Sequence, residues 1–177
     1  MPYIDIHVHL HMDDPLMDRH VEQALAKSVG GLLVHAVPND ICPPLGDNDH
    51  VLAAMRKHPG MVFGSMQLDL RDDPAKSIET IRRYAGEGFT CVKLYPNLGF
   101  DPSDPRHEPV WAEMEKHRLL CLSHCGYILI SPIYPRLPLS SLTASPMHFE
   151  RPARMFPGSQ INTAGFPAMR QFVSRLK

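Results

Sequence analysis

The chain has 177 residues, enough for one domain, residues 1–177, with a real hydrophobic core. Hydrophobic residues make up 44% and charged ones 21%, and 18 basic residues nearly balance 19 acidic ones, with no long run of either sign; this excludes nucleic acid and anionic membrane surfaces as expected partners. No apolar run reaches the roughly 20 residues of a membrane span, and no basic stretch followed by an apolar one opens the chain, so the expected location is the cytoplasm.

The first predicted strand is Ile4-Asp5-Ile6-His7-Val8-His9-Leu10, short, apolar and β-branched. Alternate strand residues share a face, so His7 and His9 are expected to project together, with Asp5 beside them as a supporting partner. Two imidazoles on one face can grip one metal ion, and polar side chains at the end of so apolar a strand are costly without such a partner. A helix is then expected, with Asp14 as its cap and Pro15 as its first residue. Its stripe is Met17, Val21, Ala24, Leu25 and Val29, and Gly30-Gly31 stops it. His20 on this helix is expected at the surface.

Leu32 to Val37 reads as a second strand, apolar enough to be buried on both faces, as in a parallel sheet covered by helices. His35 near its end is expected to be a core or rim histidine. A proline-rich loop, a helix from about Asp49 to Lys57, and a third strand from Met61 to Leu68 follow. Asp73-Pro74 caps a further helix carrying Ile78, Ile81, Tyr84 and Ala85. Phe89 to Tyr95 is the fourth strand and carries Lys93, for which a solvent-reaching chain and a pocket role are both open. A helix from Glu108 to about Arg118 leads into the fifth strand, Leu119 to His124, which again ends on a histidine. Cys125 to Ser145 shows no period and reads as an active-site wall or lid. Ser145-Pro146 could cap another helix, Gln160 to Ala164 is a weak sixth strand, and Phe166 to Leu176 a final helix. The four cysteines form no Cys-x-x-Cys pair and are expected reduced.

Alternating strands and helices give a parallel sheet with right-handed crossovers. Histidines at the ends of the first and fifth strands favour a barrel over an open sheet, because a barrel gathers all strand C-termini at one mouth. A complete (β/α) barrel needs eight strands and about 250 residues, so the expected fold is an incomplete, TIM-barrel-like one of about six units. The edge this leaves is expected to promote homo-oligomers.

These residues resemble the amidohydrolase superfamily, in its branch of amidohydrolase-related, metal-dependent hydrolases and decarboxylases. The likeness rests on Ile4 to His9, Gly88 to Leu94, Leu122 to Gly126, Pro146 to Glu150 and Arg154 to Pro157. It implies that His7, His9 and His124 bind a divalent metal, usually zinc, with manganese or another ion also suited. It also implies that Lys93 bridges metals when carboxylated or contacts a small-molecule substrate, and that His124 and Lys93 are the catalytic candidates. His148 and Arg154 are expected at the surface and His11 near the mouth. Two departures stand out: Ala164-Gly165-Phe166-Pro167 occupies the place of a family histidine, and no strand-eight aspartate follows. Three readings therefore stay open: a hydrolase whose metal-activated water attacks a small cyclic or carboxylated compound, a non-oxidative decarboxylase, and a catalytically silent binding domain.

Overall fold

The computed structural model describes residues 3–38, 42, 44–126, 142–159 and 161–162. Six strands, β1 (Tyr3–His9), β2 (Val29–His35), β3 (Val62–Leu68), β4 (Cys91–Leu94), β5 (Leu120–Ser123) and β6 (Ile161–Asn162), form one sheet in the order β1-β2-β3-β4-β5-β6. Every pairing is parallel. Each strand lies beside its predecessor without a reversal, which is the winding of a barrel and not of a doubly wound sheet. Among the described residues β1 and β6 do not pair with each other, so the barrel is incomplete.

The helices are α1 (Asp18–Ala26), α2 (Asn48–Lys57), α3 (Pro74–Gly86), α4 (Glu108–Lys116) and α5 (Glu150–Met155). Asp47 caps α2 by accepting the N–H groups of Asp49 and His50 at 3.0 and 3.1 Å, and Asp73 caps α3 through Ala75 N–H at 2.8 Å. Ser145 caps a 3-10 turn, Pro146–Phe149, that runs directly into α5. The main core lies between helices and sheet and is built from Val34, Val51, Met66, Ile81, Val92, Leu94, Trp111 and their neighbours. A second, smaller cluster on the other side of the sheet joins Leu33 and Cys91 to Ile6, Phe63, Leu120 and Leu122.

The start of α1 differs from expectation. Asp14 does not sit at the cap position; Met17 does, in the left-handed region at φ 61°. The Met17 side chain is fully buried, and a tight turn closed by its N–H on the Asp14 carbonyl delivers it there before the helix begins. Asp14 still serves the helix, accepting the N–H groups of Arg19 and His20. The helix ends at Ala26, and Gly30-Gly31 belongs to β2, where Gly31 pairs with Ile4. Val29 is thus a strand residue and Leu25 is exposed. The parallel ladder with β1 offers these residues backbone partners that another helical turn would not. The expected final helix and most of the irregular stretch after Cys125 lie outside the described residues.

Gly64 on β3 sits where a Cβ would overlap the Met55 sulfur and stand 2.7 Å from two Phe89 ring carbons. Gly64→Ala is expected to destabilise the chain by about 1–3 kcal/mol through overpacking, read as a lowered midpoint in urea unfolding with an unchanged slope.

Candidate functional site

The parallel order brings the C-terminal ends of β1, β2, β4 and β5 along one rim of the sheet. His7 and His9 stand at the end of β1, and their ring centroids are 5.2 Å apart. Two imidazoles sharing one ion through metal–nitrogen bonds of about 2.0–2.1 Å place their centroids about 5 Å apart, so the spacing of this pair fits a common metal. His9 Nδ1 donates to the His35 carbonyl at 3.3 Å. A carbonyl can only accept, so Nδ1 carries the proton and Nε2 keeps its lone pair for another partner.

Asp5 shares the exposed phase of β1 with His7, as alternation predicts, and lines one cavity with His7 and His9. Between Asp5 and Val8, β1 advances three residues while β2 advances two, from Leu32 to Val34. One extra residue in β1 makes a bulge, which shifts the phase of the strand. Ile6 accordingly packs in the inner cluster, whereas Val8, two residues on, packs against the helix-side core. Asp5 is exposed and accepts the His7 backbone N–H at 3.1 Å, and its charge opposes the lowering of the His7 pKa.

Lys93 lies on β4, opposite Gln67 of β3 and Leu122 of β5. It is 2% exposed, which settles against a chain reaching solvent. Its Nζ lies 5.5 Å from the centroid of the Tyr95 ring. Among the described residues it has no carboxylate partner. Burial pushes its pKa down, and the nearby thiols of Cys91, Cys121 and Cys125 oppose that shift. His124 follows β5, its N–H bonded to the Leu94 carbonyl and its ring stacked on Tyr95 at 6.4 Å and 19°. The Tyr95 hydroxyl is buried without a partner among the described residues.

The field of Lys93 reaches the histidines. Burial first, then Lys93 and His124, push the His7 pKa down. Burial is also the leading cause for His9, which is lowered to about 4 despite its bond to His35. Both imidazoles are therefore neutral near pH 7, the state in which nitrogen can ligate a metal. Donor chemistry and spacing fit a divalent ion at His7 and His9. Among the described residues no three His, Cys, Asp or Glu side chains already enclose one; His124 would have to leave the Tyr95 ring to join the pair.

His11 is exposed beyond β1, in an isolated bridge with Leu45, and lines the same cavity as His7 and His9, as expected of a residue near the mouth. His20 is half-buried and bonds Asp14 at 2.7 Å, rather than standing in solvent. His148 bonds Asp101 at 2.8 Å, tying the segment before α5 to the loop after β4, and Arg154 pairs with Glu150 on the surface. Sequence reasoning passed over Tyr95, although its i, i+2 spacing from Lys93 at the end of a strand was a usable signal. It also undervalued His35, which is fully buried among the rings of His7 and His9.

Because the folded chain depresses the His9 pKa, the unfolded chain binds its proton first as pH falls, and stability is lost between about pH 6.5 and about 4. Urea unfolding of the metal-free protein at pH 7 and 4.5 is expected to show His9→Asn losing about 2 kcal/mol less than wild type over that interval.

The amidohydrolase family model matches residues 4–173. No curated protein matches the sequence. Among solved structures, 2,6-dihydroxybenzoate decarboxylase complexed with 2,6-dihydroxybenzoate superposes with a TM-score of 0.66 at 14% identity, covering 91% of this chain and 65% of the other. The Rhizobium 2,6-dihydroxybenzoate decarboxylase gives 0.64 at 15% identity, with the same coverage. A 5-carboxyvanillate decarboxylase from Novosphingobium aromaticivorans, complexed with manganese and 4-hydroxy-3-methoxy-5-nitrobenzoic acid, gives 0.62 at 19% identity, covering 91% of this chain and 53% of the other. The chain thus spans about two thirds or less of the length of these structures. At these identities the likeness is one of fold, and it is to (β/α) barrels.

Proposed function

Since the chain belongs to the amidohydrolase family, we propose that it binds a divalent metal, zinc or manganese, and acts on a small carboxylated compound by non-oxidative decarboxylation. The observation that carries this reading is Lys93, a buried cation at the rim with no carboxylate partner among the described residues. A buried ammonium without a counter-charge is costly, and an anionic substrate supplies that charge. His7, His9 and His124 would hold the metal. When bound, the ion would act as a Lewis acid on a substrate oxygen.

Lys93 pairs with the substrate anion and orients it, and the Tyr95 ring beside the ammonium offers an aromatic wall. In the reaction the bond from carbon to the carboxylate breaks, its electron pair stays on that carbon, and CO₂ leaves. A proton must then replace it. Burial lowers the Lys93 pKa, so its ammonium gives up a proton more readily than an exposed lysine would. Hydrolysis has less support. It requires a base for the proton of the attacking water; Asp5, the carboxylate beside His7, is exposed and bonds the His7 backbone N–H, and the groups facing Lys93 among the described residues are imidazoles and thiols. The known structures it resembles also include decarboxylases with bound carboxylic acid or manganese. We further infer self-association through the sheet edge, supported by β1 having β2 as its single strand partner among the described residues and by Tyr3 being 80% exposed.

Metal analysis of purified wild type beside His7→Ala and His124→Ala is expected to show a stoichiometric ion lost in both variants; a metal-free wild type would favour the silent binding domain instead. With Mn²⁺ or Zn²⁺ and a panel of hydroxybenzoates, CO₂ release is the readout for decarboxylation. Lys93→Met is expected to lower kcat/KM at least about a hundredfold while leaving the metal-free melting temperature equal or higher, because an apolar chain of similar length replaces an unpaired buried charge.

A further inference from the structure

We propose that His35 is a positioning residue for the His7–His9 pair, setting the backbone that carries one ring and the tautomer of the other. The hydrogen-bond geometry stands by itself; its consequence for a metal rests on the metal-binding reading above. His35 is fully buried at the end of β2, directly across the ladder from His9. Its Nε2 donates to the Ile6 carbonyl at 2.8 Å. That carbonyl belongs to the bulge, where Ile6 and His7 fall out of one-to-one register with β2. The imidazole thus supplies, from the neighbouring strand, a donor to backbone that the bulge has displaced from the regular ladder. Removing a donor from this part-buried carbonyl costs free energy.

The same ring then packs edge-on against His7, with centroids 5.1 Å apart at 84°, and against His9 at 5.9 Å and 55°. Meanwhile the His35 backbone carbonyl accepts from His9 Nδ1. One residue therefore touches β1 from two sides. Its side chain anchors the bulge immediately before His7, and its main chain fixes which nitrogen of His9 keeps a lone pair. His35 itself carries its proton on Nε2, since the Ile6 carbonyl cannot donate. Its Nδ1 is buried without a partner among the described residues. Metal ligation by imidazole depends on ring orientation and tautomer being set by such outer contacts. A purely packing residue would need only the volume of the ring, and phenylalanine provides that without the donor.

The test uses the metal-free 177-residue chain as wild type, His35→Phe and His35→Gln. Two readouts are taken: Co²⁺ titration followed by visible absorption, and long-range ¹H–¹⁵N correlation of the histidine rings before metal is added. Wild type is expected to show His9 protonated on Nδ1 and His35 on Nε2. His35→Phe keeps the backbone carbonyl and with it the His9 tautomer, but it loses the donor to Ile6 and is expected to weaken Co²⁺ binding about 10- to 100-fold and alter the absorption bands. His35→Gln, whose amide can donate to the same carbonyl, is expected to recover affinity to within about threefold of wild type. Opposite tautomers in wild type, or a phenylalanine variant that binds Co²⁺ as wild type does with unchanged bands, would overturn the proposal. If His35→Phe does not fold, the glutamine variant decides: retained His9 tautomer and affinity support it, and a loss beyond tenfold sinks it. If wild type binds no Co²⁺, the metal reading falls separately; the spectra then decide whether His35 sets the His9 tautomer.

Discussion

Unbroken sequential pairing of parallel strands is the constraint from which the rest of this structure follows. In such a sheet every strand runs the same way, so residues at the ends of β1, β2, β4 and β5 meet along one rim although they are far apart in sequence. Histidines 7, 9, 35 and 124 and Lys93 become neighbours by topology before any side-chain interaction acts. The helices cover the other face and bury the larger core. They leave the inner face with a thin apolar layer, Ile6, Leu33, Phe63, Cys91, Leu120 and Leu122, beneath the polar rim.

The chemistry of that rim is governed by desolvation. The Lys93 cation and the His35 imidazole are buried beside the more exposed rings of His7, His9 and His124, and among the described residues no carboxylate is ion-paired with Lys93. Burial pushes the pKa of each of His7, His9, His35 and Lys93 down, and Lys93 adds to the shift of all three histidines. Neutral imidazoles and an ammonium without an acidic partner form a poor structural core, since apolar side chains would be more stable there. They form a suitable site for a cationic metal and an anionic ligand arriving together. The bulge in β1 serves the same arrangement: it gives His35 a role at the strand backbone.

Much of the fold was legible because its signals were local. The caps at Asp73 and Ser145 read correctly, as did the strand ends at Leu68 and the helix from Glu108. The failure at α1 has a definite cause. Asp14-Pro15 carries the same signature as Asp73-Pro74, yet Met17 is pulled into the core and takes a left-handed conformation, so the helix waits until Asp18. Likewise Gly30-Gly31 punctuates a helix in sequence but lies in a strand, because β1 offers it a ladder. In both places a tertiary contact outweighed a local propensity. The site was legible as residue types: His-x-His at a strand end, a histidine after the fifth strand, a lysine on the fourth.

The sequence by itself determined which side chains carry chemistry, the alternation of strands and helices, and the family, since each is written in residue identity and short-range spacing. Only the tertiary structure decided that Lys93 is buried without a carboxylate beside it among the described residues, that Asp5 bonds the His7 backbone, and that His35 bonds the backbone of Ile6. The last of these goes with one residue inserted in the register of β1 against β2 between Asp5 and Val8. Strand alternation has a period of two, so a single inserted residue puts Ile6 and Val8 in different clusters, and no local pattern in β1 reports the insertion.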